Sequence, residues 1–421
     1  MDSKINSTKL FSASHLRLQA HYGKVFIYNN EKVYRGIYEK HTQEIKNLLT
    51  SGLIDELVQK QLFPMTKIVD IKIEGFDLVL EHDKIPLRNM YTKWSFDMLK
   101  QSALTTLEVN EIALKYGYEL RDAHFLNTMF FYGKSFFIDL DSFVLKKNEK
   151  WSAYRQFIDS YMRLLQLLSL QSNFEYQDSI KAMAYYIPHK IYNSLISEED
   201  RYTYEQHLSS WQLIDAINKM ELIESNTMWK NYHDTFEYDL NKHVRLKKII
   251  ELIQQYKPKN IVDLASNAGE FAKAILDKCE LVEHVVCIDR DHYAINKLFN
   301  TSQGYNITPL YDDLTNDYYL TLSDKPVGEL VLALALTHHL LLGAKYHIDY
   351  IFEKIGSFTS KYILIEFMPL GLYSSEVNEI PAIPQWYTQE WFEAEFSKNF
   401  KLLYKEQVEI NRMVFFGEKL L

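Results

Sequence analysis

The chain has 421 residues, of which 47% are hydrophobic and 14% aromatic, and this length predicts two domains rather than one. Its formal net charge of −9 argues against a general nucleic-acid binder, because neutralising phosphates requires clustered Lys and Arg. We therefore expect no nucleic-acid partner, and a tRNA or rRNA substrate is the alternative.

Two further features indicate the cellular compartment. The two cysteines, Cys279 and Cys287, are separated by seven residues, which fits neither a disulfide framework nor a zinc knuckle. The amino terminus has no apolar stretch of signal-peptide length, and the longest apolar run, residues 330–343, is interrupted by two histidines. We expect a cytoplasmic protein without membrane insertion.

The amino-terminal half alternates between strand and helix patterns. Residues 24–38 predict two short strands around an Asn-Asn turn, and residues 41–63 then place apolar side chains at helical spacing. Further along, the patterns predict strands at 76–82 and 135–143, a helix at 94–116 and almost continuous helix at 151–254.

The pattern changes after Pro258, where buried-strand runs begin to alternate with helix-length segments. This alternation is expected of a parallel sheet covered by helices on both faces. Further candidate strands follow near the carboxyl terminus, so we expect an α/β fold of seven strands that ends in an antiparallel pair. The predicted domains are residues 1–220, a helical connector at 221–258, and residues 259–421.

The turn after the first of these strands has the composition of a ligand-binding bend. In a doubly wound sheet, ligands bind beyond the carboxyl ends of the strands, and the backbone must approach them closely. Asp263 ends the first strand, and Asp289 ends the second, where it can accept hydrogen bonds from two ribose hydroxyls. The candidate cofactor-binding residues of the turn are small or turn-tolerant, namely Ala265, Ser266, Asn267 and Gly269.

These segments resemble class I S-adenosylmethionine-dependent methyltransferases, whose first motif is an acid followed by small residues and glycines. The resemblance covers residues 259–421 and implies a Rossmann-like fold with S-adenosylmethionine as cofactor. It also implies that Asp289 holds the ribose and that Asp313 meets the adenine amino group. The methionine part would be lined by Asp263, Ala265, Asn267 and Gly269.

The bend departs from the methyltransferase pattern at two positions. Ala265 and Asn267 stand where glycines are commonest in that class. A nicotinamide dinucleotide is the alternative ligand for such a domain, but its fingerprint, GxGxxG, is missing from this turn.

The exit of the fourth strand is expected to face the transferred methyl group. His338 and His339 lie there, and an imidazole can take the proton of a hydroxyl as that hydroxyl is methylated. The alternative is that both histidines begin the next helix and pack or cap it. Glu366, at the exit of the fifth strand, is a second catalytic candidate, although methyl transfer depends mainly on positioning and need not use a base.

A wider set of segments, from residue 227 to 416, resembles a subgroup of bacterial methyltransferases that includes nodulation host-specificity factors. In that subgroup a long amino-terminal part precedes the methyltransferase domain. The resemblance leaves the acceptor undefined.

A second constellation lies in the amino-terminal half. Asp122 and Asn127 are five residues apart after a helix, and Asp139 follows at a strand end. Phosphoryl transfer needs a carboxylate beside the attacking hydroxyl and oxygen ligands for magnesium, and these three residues can supply both.

This run resembles the catalytic and metal-binding loops of the protein kinase and aminoglycoside kinase superfamily. The resemblance implies a kinase-like α+β domain that binds ATP and magnesium, with Asp122 as base and Asn127 and Asp139 as metal ligands. Asp141 is an alternate ligand. A glycine-rich loop is missing, and the nearest basic strand residue is Arg35 rather than a lysine, with Glu44 as its expected partner.

We therefore expect a two-domain methyltransferase that acts on a small-molecule or saccharide-type acceptor, at oxygen. In this hypothesis the kinase-like half either binds the acceptor or phosphorylates it. One alternative is a bifunctional enzyme that phosphorylates and then methylates one acceptor. Another is a non-catalytic interaction protein built from two degenerate folds.

Overall fold

The computed structural model describes residues 3–4, 10–12, 21–29, 31–87, 89–170, 187, 189–223, 243–315, 325–373 and 382–420. The chain divides into two compact units. The first unit consists of Met1–Thr92 and Met98–Ile223, and the second of Lys93–Asp97 and Glu224–Leu421. Within the described residues, no helix combines the length and the apolar character needed to cross a bilayer.

The first unit is built on an antiparallel sheet of five strands. The described strands of the whole unit, in chain order, are β1 (Ser3–Lys4), β2 (Leu10–Ser12), β3 (Gly23–Tyr28), β4 (Lys32–Ile37), β5 (Thr66–Ile68), β6 (Ile71–Lys72), β7 (Leu78–His82), β8 (Tyr118–Leu120), β9 (Thr128–Phe131), β10 (Lys134–Phe137) and β11 (Phe143–Leu145). The main sheet has the order β2-β3-β4-β7-β5, and the remaining strands pair as β1-β6, β8-β11 and β9-β10. The predicted strand pair around the Asn-Asn turn is confirmed as β3 and β4.

The described part of the first unit also contains α-helices. They are α1 (Thr42–Thr50), α2 (Leu53–Gln59), α3 (Phe96–Lys115), α4 (Tyr154–Phe157), α5 (Arg163–Ser169), α6 (His189–Leu195) and α7 (Ser210–Lys219). The predicted helix at 94–116 is confirmed as α3. The helical spacing over 41–63 is confirmed as two helices, α1 and α2, which Gly52 separates with a φ of +88°.

The almost continuous helix predicted over 151–254 is wrong in part. Ile158–Met162 forms a π-helical turn between α4 and α5, and residues 196–209 are turns and extended chain. Side-chain hydrogen bonds hold that irregular stretch, because Arg163 donates to the Tyr202 carbonyl from Nε and Nη2, each at 3.2 Å. The remainder of the prediction at 171–186 and 224–242 lies outside the described residues.

The second unit contains one seven-stranded sheet. Its strands are β12 (Asn260–Leu264), β13 (His284–Asp289), β14 (Ile307–Tyr311), β15 (Gly328–Ala333), β16 (Thr359–Phe367), β17 (Phe400–Glu409) and β18 (Arg412–Lys419). The order is β14-β13-β12-β15-β16-β18-β17. The first five strands in this order are parallel, whereas β18 is antiparallel to both β16 and β17. The predicted seven strands with an antiparallel end are therefore confirmed.

Helices pack on both faces of this sheet. They are α8 (Val244–Tyr256), α9 (Glu270–Lys278), α10 (His292–Thr301), α11 (Ile348–Gly356) and α12 (Gln389–Asn399). The predicted connector includes α8, yet the apolar stripe of that helix lies in the core of the second unit, where Leu246, Ile249 and Ile253 are at most 1% exposed. The helix is thus part of the second unit.

Candidate active site

The turn between β12 and α9 has left-handed backbone at every second residue. The φ angles are +55° at Ala265, +49° at Asn267 and +70° at Gly269. The Ser266 amide donates to the Ile288 carbonyl at 3.1 Å, which fixes the turn to the neighbouring strand. The predicted bend therefore forms, even where glycine is replaced.

The three left-handed positions differ in what they tolerate. At Gly269, an added Cβ would lie 2.4 Å from a methyl carbon of Leu298, so a larger residue would have to displace that side chain of α10 as well as adopt a positive φ. Asn267 belongs to a residue type that visits this region readily, and its Oδ1 accepts from the Ala268 amide at 2.7 Å. Ala265 has neither the missing Cβ of glycine nor the side-chain hydrogen bond of Asn267. The left-handed conformation costs a residue with a Cβ about 1–2 kcal/mol.

Replacing Ala265 with Gly is expected to raise the free energy of unfolding. The gain should be about 1 kcal/mol, because the removed strain exceeds the added chain entropy. Urea denaturation checks this, with Ala268→Gly as the matched control. Ala268 has no positive φ, so its substitution should destabilise the protein. Equal effects of the two variants would contradict the strain argument.

Asp289 connects the bend to the second strand. One carboxylate oxygen accepts from the Asn267 amide and the other from the Asp291 amide, both at 2.8 Å. Each oxygen retains a further acceptor site, so the carboxylate can still receive two ligand hydroxyls. The neighbouring Asp291 caps α10 by accepting from the Tyr293 and Ala294 amides at 2.9 and 3.0 Å.

Negative charge accumulates at this edge of the sheet. Burial, together with the charges of Asp289 and Glu366, raises the pKa of Asp263 to about 7, while Arg245 opposes the shift. Burial also raises the pKa of Asp289 to about 6, although the amides of Asp291 and Asn267 partly offset this. Two neighbouring buried carboxyl groups with raised pKa values favour a ligand that carries positive charge.

The pKa of Asp263 makes stability depend on pH. The pKa of this carboxyl is 3.8 in the unfolded chain and about 7 in the folded protein. The carboxyl therefore stabilises the folded protein most below pH 3.8, and this stabilisation is lost as the pH rises through about 7. Asp263→Asn should therefore gain stability relative to the wild type between pH 4 and 8, by on the order of 1 kcal/mol per unit of pKa shift. Urea denaturation at several pH values measures the difference, and a constant difference would contradict the shift.

Asp313 lies beside Asp289 at the end of the third strand along this edge. The Asp312 amide donates to the Asp289 carbonyl at 3.0 Å, which holds the two strand ends together. Asp313 accepts from the Thr315 amide and hydroxyl at 2.8 and 2.7 Å, and Arg290 lies 4.0 Å from its other oxygen. The predicted acids of successive strand ends are thus brought together.

Glu366 is placed differently from the prediction of a catalytic group. Its side chain is fully buried, and Arg245 donates to both carboxylate oxygens at 2.6 and 2.8 Å. The Ala335 amide and Arg412 donate to the second oxygen at 2.8 and 3.1 Å. With four donors on a buried carboxylate, no acceptor can approach it, so the catalytic prediction is corrected to a structural one.

His338 and His339 lie at the exit of β15, as expected. His338 is 5% exposed, and its Nδ1 has no hydrogen-bond partner among the described residues. Burial lowers the pKa of His338 to about 3, assisted by His339 and Arg412, and burial also lowers the pKa of His339. Both rings are therefore neutral near pH 7, and His338 can accept a hydrogen bond.

The residues that sequence reasoning missed are the two arginines. Arg245 lies 121 positions from its partner Glu366, and Arg412 lies 46 positions away. No periodicity or short motif connects such residues. The one available signal is an acid inside an apolar strand run, because a buried carboxylate requires a cationic partner.

In the first unit, the predicted phosphotransfer residues lie in one hydrogen-bonded network. The Asn127 amide group donates to the Asp122 carbonyl at 3.3 Å and to the Ser142 hydroxyl at 3.0 Å. Ser142 in turn donates to Asp139 at 2.6 Å. The three predicted residues are therefore neighbours.

Arginines supply the positive charge of this network, and Arg121 Nε lies 3.1 Å from the Asp122 carboxylate. Arg35 forms a buried ion pair with Asp141, and its other terminal nitrogen lies 3.7 Å from Asp139. The expected pairing of Arg35 with Glu44 is wrong, because Glu44 instead accepts from the Tyr22 hydroxyl at 3.0 Å and lies 3.3 Å from His41. Among the described residues, no group of three or more His, Cys, Asp or Glu side chains has metal-binding geometry.

A surface cavity of 260 Å³ lies elsewhere in the second unit. Its walls include Lys257, Pro258 and Val282, which precede β12 and β13. It is therefore at the amino ends of the strands, opposite the acids, and is not the candidate site.

The strand order and the acids at successive strand ends define the class of the second unit: it has the class I methyltransferase fold. No protein-family model matches the chain. The chain is similar to the nodulation protein NoeA of Rhizobium meliloti (strain 1021), with 23% identity over 339 residues, which is 69% of this chain and 71% of that protein.

Two solved structures are similar to part of the chain. The PH0226 protein from Pyrococcus horikoshii OT3 has a TM-score of 0.35 and 15% identity, over 46% of this chain and 97% of that chain. A SAM-dependent methyltransferase from Aquifex aeolicus has a TM-score of 0.32 and 12% identity, over 44% of this chain and 100% of that chain.

Proposed function

We propose that this protein is an S-adenosylmethionine-dependent methyltransferase. The observation that carries the proposal is the contact of Asp289 with the Asn267 amide, which joins the acid of the second strand to the left-handed bend after the first. A nucleoside bound at Asp289 would extend its amino-acid tail over that bend.

The residues of the bend and the strand ends fit this cofactor. Asp289 would accept the ribose hydroxyls, and Asp313 would meet the adenine amino group. The bend from Ala265 to Gly269, including Ser266, would approach the methionine part, with Asp263 beneath it. S-adenosylmethionine carries a sulfonium and an ammonium group against one carboxylate, so the acidic edge attracts it.

The acceptor side lies at the exits of β15 and β16. The cofactor supplies an electrophilic methyl group, and the protein must hold the acceptor in line with it. Neutral His338 can accept a hydrogen bond from an acceptor hydroxyl. We therefore propose a small-molecule or saccharide-type acceptor that is methylated at oxygen.

For the first unit we propose a kinase-like fold that binds the acceptor without transferring phosphate. The fold is supported by the five-stranded sheet order and by the position of Asn127 between β8 and the β9-β10 hairpin. The absence of phosphotransfer is supported by Arg35, which pairs with Asp141 and lies 3.7 Å from Asp139, so that its positive charge takes the place that magnesium would occupy. A bifunctional enzyme is the alternative.

Isothermal titration of the intact protein with S-adenosylhomocysteine tests the leading proposal, and titration with ATP and magnesium separates the alternatives. We expect heat of binding with the first ligand and none with the second. Binding of both would favour the bifunctional enzyme. Binding of neither would leave the non-catalytic interaction protein and overturn the proposed methyltransferase.

A further inference from the structure

A short segment of the amino-terminal half belongs to the second unit. Lys93–Asp97 groups with Glu224–Leu421, whereas the chain on either side of this segment belongs to the first unit. Its contacts span long stretches of sequence, since Asp97 lies 199 positions from Asn296, to which it bonds. Bringing such distant parts of the chain together costs conformational entropy, so the contacts of this segment must offset that cost.

Asp97 binds this segment to α10. Its backbone amide donates to the side-chain oxygen of Asn296 at 2.8 Å. Its carboxylate accepts from the side-chain amide groups of Asn296 at 2.8 Å and of Asn300 at 2.6 Å. The two asparagines are four residues apart and therefore lie on one face of the helix. Three hydrogen bonds thus hold the segment against that face.

The other contacts of α10 lead to the proposed cofactor site. Leu298 packs so closely on Gly269 that a Cβ added there would lie 2.4 Å from a Leu298 methyl carbon. The ring of His292, at the start of the helix, lies 4.5 Å from that of Tyr311, which ends β14. The helix that Asp97 holds therefore contacts both the left-handed bend and the end of the third strand.

Asp312 connects Lys93 to the two acids of the proposed adenosine site. Lys93 Nζ forms an ion pair with the Asp312 carboxylate, and the two side chains are 16% and 5% exposed. That carboxylate also accepts from the Asp313 amide at 2.9 Å, and the Asp312 amide donates to the Asp289 carbonyl at 3.0 Å. A buried carboxylate needs a counter-charge, and Lys93 supplies positive charge to the residue that links both strand ends.

We propose that Lys93 is a positioning residue for recognition of the adenine amino group. Lys93 fixes the Asp312 carboxylate, and that carboxylate orients Asp313 through the Asp313 amide. Asp313 then presents its own carboxylate to the amino group. This inference rests on the proposed methyltransferase function, and it assigns part of the cofactor site to the amino-terminal half of the chain.

Electrostatics explains why this lysine should matter. Without Lys93, the Asp312 carboxylate would be buried between two further acids, Asp289 and Asp313. It would then turn toward solvent or take up a proton, and both changes weaken its bond to the Asp313 amide. Arg290 is a poor substitute, because its side chain is 76% exposed and lies 4.0 Å from the Asp313 carboxylate.

The test compares S-adenosylhomocysteine with its purine analogue, in which a hydrogen atom replaces the 6-amino group. Isothermal titration of the intact protein measures both affinities. We expect the wild type to bind S-adenosylhomocysteine about tenfold more tightly than the analogue, because the analogue lacks the hydrogen bond to Asp313. Lys93→Met should bind S-adenosylhomocysteine about tenfold more weakly than the wild type does and should bind the analogue equally well, so the preference disappears.

Two further substitutions serve as controls. Lys93→Arg keeps the charge and should retain most of the preference. Lys259→Met is the matched control, since Lys259 pairs with Glu283 at 2.9 Å at the opposite edge of the sheet, and these side chains are 60% and 57% exposed. Both affinities of this control should stay within about twofold of the wild type.

Circular dichroism shows whether each variant is folded. If Lys93→Met does not fold, the same comparison is made with Lys93→Gln, which keeps a hydrogen-bond donor for Asp312 and loses the charge. This variant should lower the preference to about threefold, because a neutral hydrogen bond to a carboxylate is weaker than a charge-assisted one.

Three outcomes would overturn this inference. They are a folded Lys93→Met or Lys93→Gln variant that keeps the full preference, a variant that binds both ligands more weakly by the same factor, and a wild type that binds both ligands equally well. A wild type that binds neither ligand would instead show that the methyltransferase proposal is wrong. The two failures are therefore distinguishable.

Discussion

Replacing Asp289 with Ala is expected to weaken binding of S-adenosylhomocysteine by about 100-fold or more. The substitution removes two charge-assisted hydrogen bonds to the ribose, each of which contributes about 1.5–3 kcal/mol. It also releases the Asn267 amide, so the bend under the methionine tail is less well ordered. Isothermal titration measures the loss.

Glu280→Gln is the matched control for charge. Glu280 lines the cavity at the opposite edge of the same sheet, so its substitution removes one negative charge and should leave the affinity within about twofold. Circular dichroism shows whether Asp289→Ala remains folded. A folded Asp289→Ala variant that binds as tightly as the wild type would contradict the assigned site.

Replacing Glu366 with Gln is expected to destabilise the second unit by about 3–5 kcal/mol, because it leaves the buried Arg245 without its counter-charge and removes one of the two carboxylates that pair with Arg412. The carboxylate joins α8 through Arg245, the loop after β15 through the Ala335 amide, and β18 through Arg412. Its loss should therefore loosen several elements together. The midpoint and slope of urea denaturation measure the change.

The matched control for this prediction is Glu409→Gln. Glu409 also pairs with Arg412, but its side chain is 43% exposed, and exposed ion pairs contribute about 0–1 kcal/mol. If Glu366 were a catalytic base instead, Glu366→Gln would retain the stability of the wild type and lose only turnover. That result would restore the sequence-based hypothesis for this residue.

The parallel sheet and its acidic edge could be predicted because they depend on local patterns. Apolar runs ending in Asp263 and Asp289 fix both the strands and the edge at which the carboxylates meet. The parallel register then forces the two strand ends together, whatever the turn between them contains. For this reason the prediction succeeds despite Ala265 and Asn267 in place of glycines.

Long-range pairing could not be predicted in the same way. Whether a buried acid is catalytic or structural depends on its partners, and Glu366 meets arginines from α8 and β18, which the sequence does not connect to it. The same reason explains Arg35, which pairs with Asp141 across 106 positions rather than with Glu44 on the next helix. Proximity along the chain favoured the wrong partner.

A crystal structure of the intact protein with S-adenosylhomocysteine tests the central claim most directly. We predict the ribose hydroxyls on the carboxylate of Asp289, the adenine beside Asp313, and the amino-acid tail over the turn from Ala265 to Gly269. The sulfur should point toward His338. Ligand density at any other place in the chain, or a turn that stays closed to a ligand at saturating concentration, would contradict the account.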